Sequence, residues 1–217
     1  MLTIDFADLE KLTYTQMQVS FIYFRKKSMF SPGFLIHKSS DISTKDFFSI
    51  IQKIGKPKEV KKGQLIVRYG SSPSFFFFIQ SGVFKTYRKL NDNEFILGFT
   101  FKGDVDCCPV SLLSGTPNNF SIEAVTSGEV LICELTDFKN CCSLVEYYAI
   151  LNTVLINYLE VVEKRVIDSI SLTAEQRYKL LCEKQPEQVS QIPVKHMASY
   201  LGIKIESLSR IRKKMMH

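Results

Sequence analysis

The residues best equipped for chemistry gather at the C-terminal end of the 217-residue chain. Residues 192–217 hold Lys195, Lys204, Arg210, Arg212, Lys213 and Lys214 against the single carboxylate of Glu206, a local net charge of +5 out of +6 for the whole chain. Guanidinium forks grip paired acceptors, and ammonium groups hold isolated anionic oxygens. A basic end on a nearly neutral body points to a polyanionic partner, either nucleic acid or an anionic membrane surface.

The elements that must position these groups are legible around them. Ile192–Lys214 reads as two helices joined by a tight turn. Pro193 suits a first turn, Met197 and Leu201 form an apolar face, and Ala198 is small where a second helix crosses. Gly202 supplies the left-handed residue of the turn, with Ile203 plugging the corner beneath it. In the second helix, from about Ile205, residues Leu208, Ile211 and Met215 face inward. Ile205, Glu206, Ser209, Arg210 and Lys213 lie opposite, with Lys204, Ser207 and Lys214 flanking. Such a face carries base-reading and phosphate-binding groups at the spacing of a major groove. The motif therefore favours double-stranded DNA over a membrane.

Other chemistries find little support. No Gly-rich phosphate loop, no metal-spaced His, Asp and Glu set and no partnered Ser or Cys nucleophile occurs, so the chain is expected to be no enzyme and to hold no metal or cofactor. Cys107, Cys108, Cys133, Cys141, Cys142 and Cys182 lack CxxC spacing and are expected to be reduced, mostly buried thiols. His37, His196 and His217 read as surface or capping residues. No apolar run reaches the roughly 20 residues of a membrane span. The N-terminus does not resemble a signal peptide, so a cytoplasmic location is expected.

Upstream, the texture divides the chain into four parts. Residues 1–40, with a short helical pattern at Ala7–Leu12 and an aromatic cluster at Phe21–Phe24, form either a packing element or a loose extension. A helix capped by Ser43 or Thr44 places Phe47, Ile50, Ile51 and Ile54 on one face. From Glu59 to Leu135, six short strand-like runs are predicted: Leu65–Tyr69, Phe75–Gln80, Val83–Leu90, Glu94–Phe101, Phe120–Val125 and Val130–Leu135. Gly, Pro, Asn and Asp separate them, and Asn91-Asp92-Asn93 makes a tight turn. This pattern predicts an antiparallel sandwich or barrel across 41–136. Residues 137–170 predict one long helix whose stripe of Leu144, Tyr147, Leu151, Val154, Leu155, Tyr158 and Val162 suits a dimer seam, or equally packing on the β segment. Residues 171–217 then hold a helix capped by Thr173 and Gln176, followed by the basic helical pair.

This order of parts resembles the Crp/Fnr family, relatives of the catabolite activator protein, over residues 41–214. The resemblance is most specific at Ile192–Lys214, where the family's base-contacting positions fall on Ile205, Glu206 and Arg210, with Ile205 in place of a common Arg. A second match is the run Ile79-Gln80-Ser81-Gly82-Val83. The resemblance implies an α+β protein: an N-terminal cyclic-nucleotide-binding-like jelly roll, a dimerisation helix and a C-terminal helix-turn-helix. It further implies a homodimeric transcription regulator on an inverted repeat, with RNA polymerase as another partner. The β-wing that many members add after the recognition helix is not expected here.

By the same resemblance, Gly103 to Ala124 is the effector cassette, with Gly103, Asp104, Asn118 and Asn119 at its key positions. Cyclic-AMP binders carry Gly-Glu and an Arg there, and no Arg occurs between Arg88 and Arg165. A buried cyclic phosphate would lack its cation, so cyclic AMP is not the expected effector. Val105, Val110, Leu112 and Leu113 suit either an apolar effector or an ordinary core. No Cys precedes residue 107 for an iron–sulfur cluster, and no His has a haem-ligand setting.

Overall fold

The computed structural model describes residues 42–215, so the expectations for residues 1–40 and for His217 lie outside it. Helix α1 (Ile42–Ile54) begins before Ser43 and Thr44, which puts both residues inside the first turn instead of at the cap. Eight strands follow: β1 (Lys56–Val60), β2 (Leu65–Val67), β3 (Phe75–Ser81), β4 (Phe84–Leu90), β5 (Asn93–Thr100), β6 (Val105–Asp106), β7 (Ser121–Ala124) and β8 (Gly128–Glu134). Helix α2 (Pro109–Ser114) interrupts them between β6 and β7. Two four-stranded antiparallel sheets result, ordered β1-β8-β3-β6 and β2-β7-β4-β5, which is the jelly roll expected.

The roll is held by an apolar core on each side of its sheets. Phe75–Phe78 explains the arrangement, because consecutive strand residues point to opposite faces. Phe77 and Ile79 turn inward, joining Val67, Phe84, Ile122 and Val130 between the sheets. Phe76 turns outward against Phe47 of α1 and Phe138, with ring centroids at 5.3 and 5.5 Å in edge-to-face contact. A strand covered on both faces needs no alternation, and each ring buried contributes roughly 1.5–3 kcal/mol. The β4–β5 hairpin turns at Asn91 (φ 47°) and Asp92 (φ 62°), the left-handed pair of a two-residue loop. At the β3–β4 corner, a Cβ on Gly128 would lie 2.2 Å from the Ser81 carbonyl, and Gly82 has φ 93°. Only glycine permits that crossing.

The helical part departs from expectation at one place. Instead of one helix over 137–170 there are two, α3 (Leu135–Asn140) and α4 (Leu144–Ser171). Ser143 breaks them apart because it forms a capping box: its hydroxyl accepts from Glu146 N at 3.3 Å, and its own N–H donates to Glu146 Oε2 at 2.8 Å. After α4 come α5 (Ala174–Lys184), α6 (Pro186–Ser190), α7 (Val194–Leu201) and α8 (Ile205–Met215). Thr173 and Gln176 cap α5 in the manner predicted. None of the helices described is long and apolar enough to cross a membrane.

Candidate nucleic-acid interface

Helices α7 and α8 form a helix-turn-helix. Pro193 stands at the N-cap of α7, and Met197, Ala198 and Leu201 are buried in its inner face. Gly202 adopts φ 71° and gives its N–H to Ala198 and Ser199 carbonyls, while Ile203 N donates to Ala198 O at 3.0 Å. The turn is therefore a glycine C-cap, with Leu208 of α8 fully buried beneath it. Met215, expected inside, is exposed, because α8 has by then run past the edge of the core.

The outer face of α8 presents Ile205, Glu206, Ser209, Arg210 and Lys213 to solvent, with Lys204 just ahead. Some of these groups are already engaged. Ser209 Oγ donates back to Ile205 O at 3.0 Å, and Arg210 reaches half-buried Ser207 at 3.4 Å. Lys214 is turned toward α5, pairing with Glu175 at 2.7 Å. Arg212 is inward too, its Nε on the Tyr178 hydroxyl at 2.9 Å. The groups left outward are a carboxylate, a guanidinium and one ammonium group on the helix face, with the Lys204 ammonium just ahead of it.

Sequence reasoning missed how this unit docks on the roll. Strand β5 is the edge of its sheet, and α7 and α4 cover that edge. Ile96 N donates to Ser199 Oγ at 3.2 Å, and Arg165 of α4 donates to the carbonyls of Leu97 and Ile96. Beneath α7 lies Lys85, almost fully buried, 2.5 Å from Glu94 and 3.3 Å from Glu123. Tyr87 donates to Glu123 at 3.0 Å, and burial with that bond pushes its phenol up to about 12. His196, expected as a surface or capping residue, is half-buried here with Nδ1 unpartnered. Burial, then the charge of Lys85, push its pKa down to about 4, so it stays neutral. The register that sets Lys85 of β4 directly opposite Glu123 of β7 brings the pair together, and the sequence alone gives no signal of it.

The cassette residues are absorbed by the fold. Asn118 donates to the Arg68 and Ser71 carbonyls at 3.1 and 2.9 Å and accepts from Phe120 N, pinning its loop to the β2–β3 turn. Asn119 is exposed. Gly103 (φ 93°) turns the chain, and buried Asp104 accepts from Phe101 N at 2.7 Å. Burial pushes the Asp104 carboxyl up to about 8. Val105 and Leu112 belong to the core, whereas Val110 and Leu113 are exposed. Burial also holds the Cys107 and Cys108 thiols well above their ordinary range, and both are packed as small apolar groups. Cys141 is exposed. Among the described residues no group of three or more His, Cys, Asp or Glu is placed to hold a metal ion.

The stripe expected on α4 divides between the subunit's own core and an open side. Tyr147, Leu151 and Val154 are buried in the subunit's own core with Phe47, Phe76 and Phe138, so they are spent on folding. Leu155, Tyr158 and Val162 are half-buried and Leu144 is exposed. The open apolar side is instead the stripe of Val145, Tyr148, Leu159 and Val166, each at least half exposed.

Residues 57–144 match the family model of the cyclic nucleotide-binding domain. No curated protein matches the chain in sequence. Among solved structures, FixK2 of Bradyrhizobium japonicum superposes with a TM-score of 0.66 at 19% identity, covering 75% of this chain and 85% of that one. A Crp/Fnr-family transcriptional regulator from Eubacterium rectale gives 0.58 at 17% identity, over 77% and 81% of the two chains. The c-di-GMP-responsive global regulator CLP of Xanthomonas campestris also gives 0.58, at 13% identity, over 79% and 91%. At such identities the likeness is one of fold. The chain therefore carries a cyclic nucleotide-binding domain at residues 57–144 within the fold of the Crp/Fnr transcription regulators.

Proposed function

We propose that the protein is a sequence-specific transcription regulator that binds double-stranded DNA as a homodimer. The observation that carries this reading is the outer face of α8, where Glu206 and Arg210 stand exposed beside Lys204 and Lys213 on a helix held by a glycine turn. Arg210 has the fork for a guanine edge, Glu206 accepts from a cytosine amine, and Lys204 and Lys213 suit phosphates.

The second subunit would pair along the open stripe of α4. Val145, Asn152, Leu159 and Val166 recur every seven residues, with Tyr148, Leu155 and Val162 between them. This is a two-position heptad seam with one polar residue, Asn152, of the kind that fixes register in parallel pairs. Two recognition helices related by a two-fold axis read half-sites about one helical turn, roughly 10 bp, apart.

The effector, on this reading, is not cyclic AMP. Asn118 has spent its amide on its own loop, Asp104 faces the backbone of Phe101, and the cassette offers no Arg to a cyclic phosphate. Titration calorimetry with cyclic AMP should show no heat of binding; micromolar affinity would reverse the assignment. The regulator itself is tested by selecting bound molecules from randomised duplex DNA across a salt series. An inverted repeat with a steep salt slope is expected, and weak sequence-independent binding under every condition would remove DNA reading as the function.

A further inference from the structure

Where α4, α5 and α7 meet, two arginines converge on one cleft. Arg165 lies 4.5 Å from the Tyr200 ring centroid and donates to the Ile96 carbonyl at 3.0 Å. Arg177 gives one N–H to Leu201 O at 2.9 Å, but its Nε is buried with no acceptor. Lys164 and Lys184 also line the cleft. Its one acid, Asp168, is paired with Lys164 at 3.1 Å. Among the described residues, neither guanidinium meets a carboxylate.

Two like charges in a half-buried recess repel and lose hydration. Burial pushes the Arg165 guanidinium below its ordinary value, and the charge of Arg177 adds to this. An anion seated between them would relieve both effects and take the idle Nε–H of Arg177 in a charge-assisted bond. The space is about 50 Å³, several times what one water requires and far less than a nucleoside needs.

We propose that this cleft binds a small tetrahedral oxyanion of the phosphate type. The site is separate from the outer face of α8 and stands whether or not that face reads DNA. A bound phosphate would tie α4 to α5 and so fix the helix-turn-helix relative to the roll. The same chemistry could be delivered by a free phosphate group or by a phosphate of the DNA backbone.

The test uses the full chain and inorganic phosphate at constant pH and ionic strength, with chloride as reference. Thermal midpoint and phosphorus NMR linewidth should both respond saturably to phosphate. Arg177→Gln should weaken that response at least tenfold, and Lys58→Gln, at an exposed lysine of β1, should leave it unchanged. Lys164→Gln, which leaves Arg177 and its bond in place, should weaken it by a smaller factor and guards against a misfolded Arg177 variant. Equal responses to phosphate and chloride, or an unaltered response in Arg177→Gln, overturn the proposal. Duplex binding then separates the sources. Unchanged DNA affinity and salt slope in Arg177→Gln mark a free anion, whereas a slope lower by about one charge marks the DNA backbone.

Discussion

Ser199 of α7 donates its hydroxyl to the Glu94 carbonyl of β5 at 2.6 Å and receives the Ile96 N–H in return. One side chain thereby completes the edge of a sheet as another strand would. Removing it as Ser199→Ala strands a backbone donor and a carbonyl at a half-buried site. The expected cost is about 1–3 kcal/mol, read from the urea midpoint, and a change under 0.5 kcal/mol would mean that water substitutes for the hydroxyl.

Arg210 and Lys213 are one turn apart on α8, and both are exposed. Their roles should nonetheless differ. Arg210→Ala should relax preference at one base position and cost roughly 1–3 kcal/mol on the best site, while Lys213→Ala should weaken all duplexes about equally. Identical losses on every sequence for both variants would contradict that division.

The two sides of α4 separate folding from assembly. Val154 is fully buried in the subunit core, so Val154→Ala should cost roughly 1–3 kcal/mol of folding stability. Leu159 is 56% exposed, so Leu159→Glu should leave the isolated subunit folded and shift sedimentation from dimer to monomer. A Leu159→Glu protein that still sediments as a dimer would exclude this seam.

Asp104 predicts a dependence on pH. Burial raises its folded pKa to about 8 from an ordinary 3.8, with neighbouring Asp106 adding to the shift. The folded state thus holds a proton that the unfolded chain releases. Its contribution is complete below about pH 3.8 and is lost as the pH rises through about 8. Compared with Asp104→Asn, the wild type should nearly match at pH 4 and be weaker at pH 8, by on the order of 5 kcal/mol. Parallel thermal melts of the two proteins from pH 4 to 8 check this, and curves of constant separation would refute it.

Gly202 occupies φ 71° with open space around its missing side chain. Gly202→Ala therefore meets no clash and carries only the strain of the left-handed backbone, about 1 kcal/mol. A loss well above this, by calorimetry, would mean that the turn itself rearranges.

Where the sequence was readable, local chemistry was unambiguous. Gly202 with its buried neighbours announced the helix-turn-helix, and Asn91-Asp92 announced the β4–β5 hairpin. Strand β1 escaped notice because Lys56–Glu59 are all exposed and include Pro57, as an edge strand allows. The break before α4 was hidden by apolar spacing that runs through it, although Ser143 and Glu146 have the spacing of a capping box. Periodicity also could not say which side of α4 meets its own subunit. Tyr147 and Tyr148 are alike in type, and only the position of Phe138 decides that Tyr147 is the buried one. Likewise Asn118 matched a ligand position, while its actual partners lie some 50 residues earlier in the chain.

The phenylalanine run of β3 also sets a schedule for synthesis. Phe77 pairs with Ile132, some 55 residues downstream. At roughly 5–20 residues per second, a ribosome adds that stretch in about 3–10 s. For those seconds four aromatic rings wait without their strand partner. The yield of soluble protein should therefore follow elongation rate and chaperone supply more closely than the stability of the finished fold.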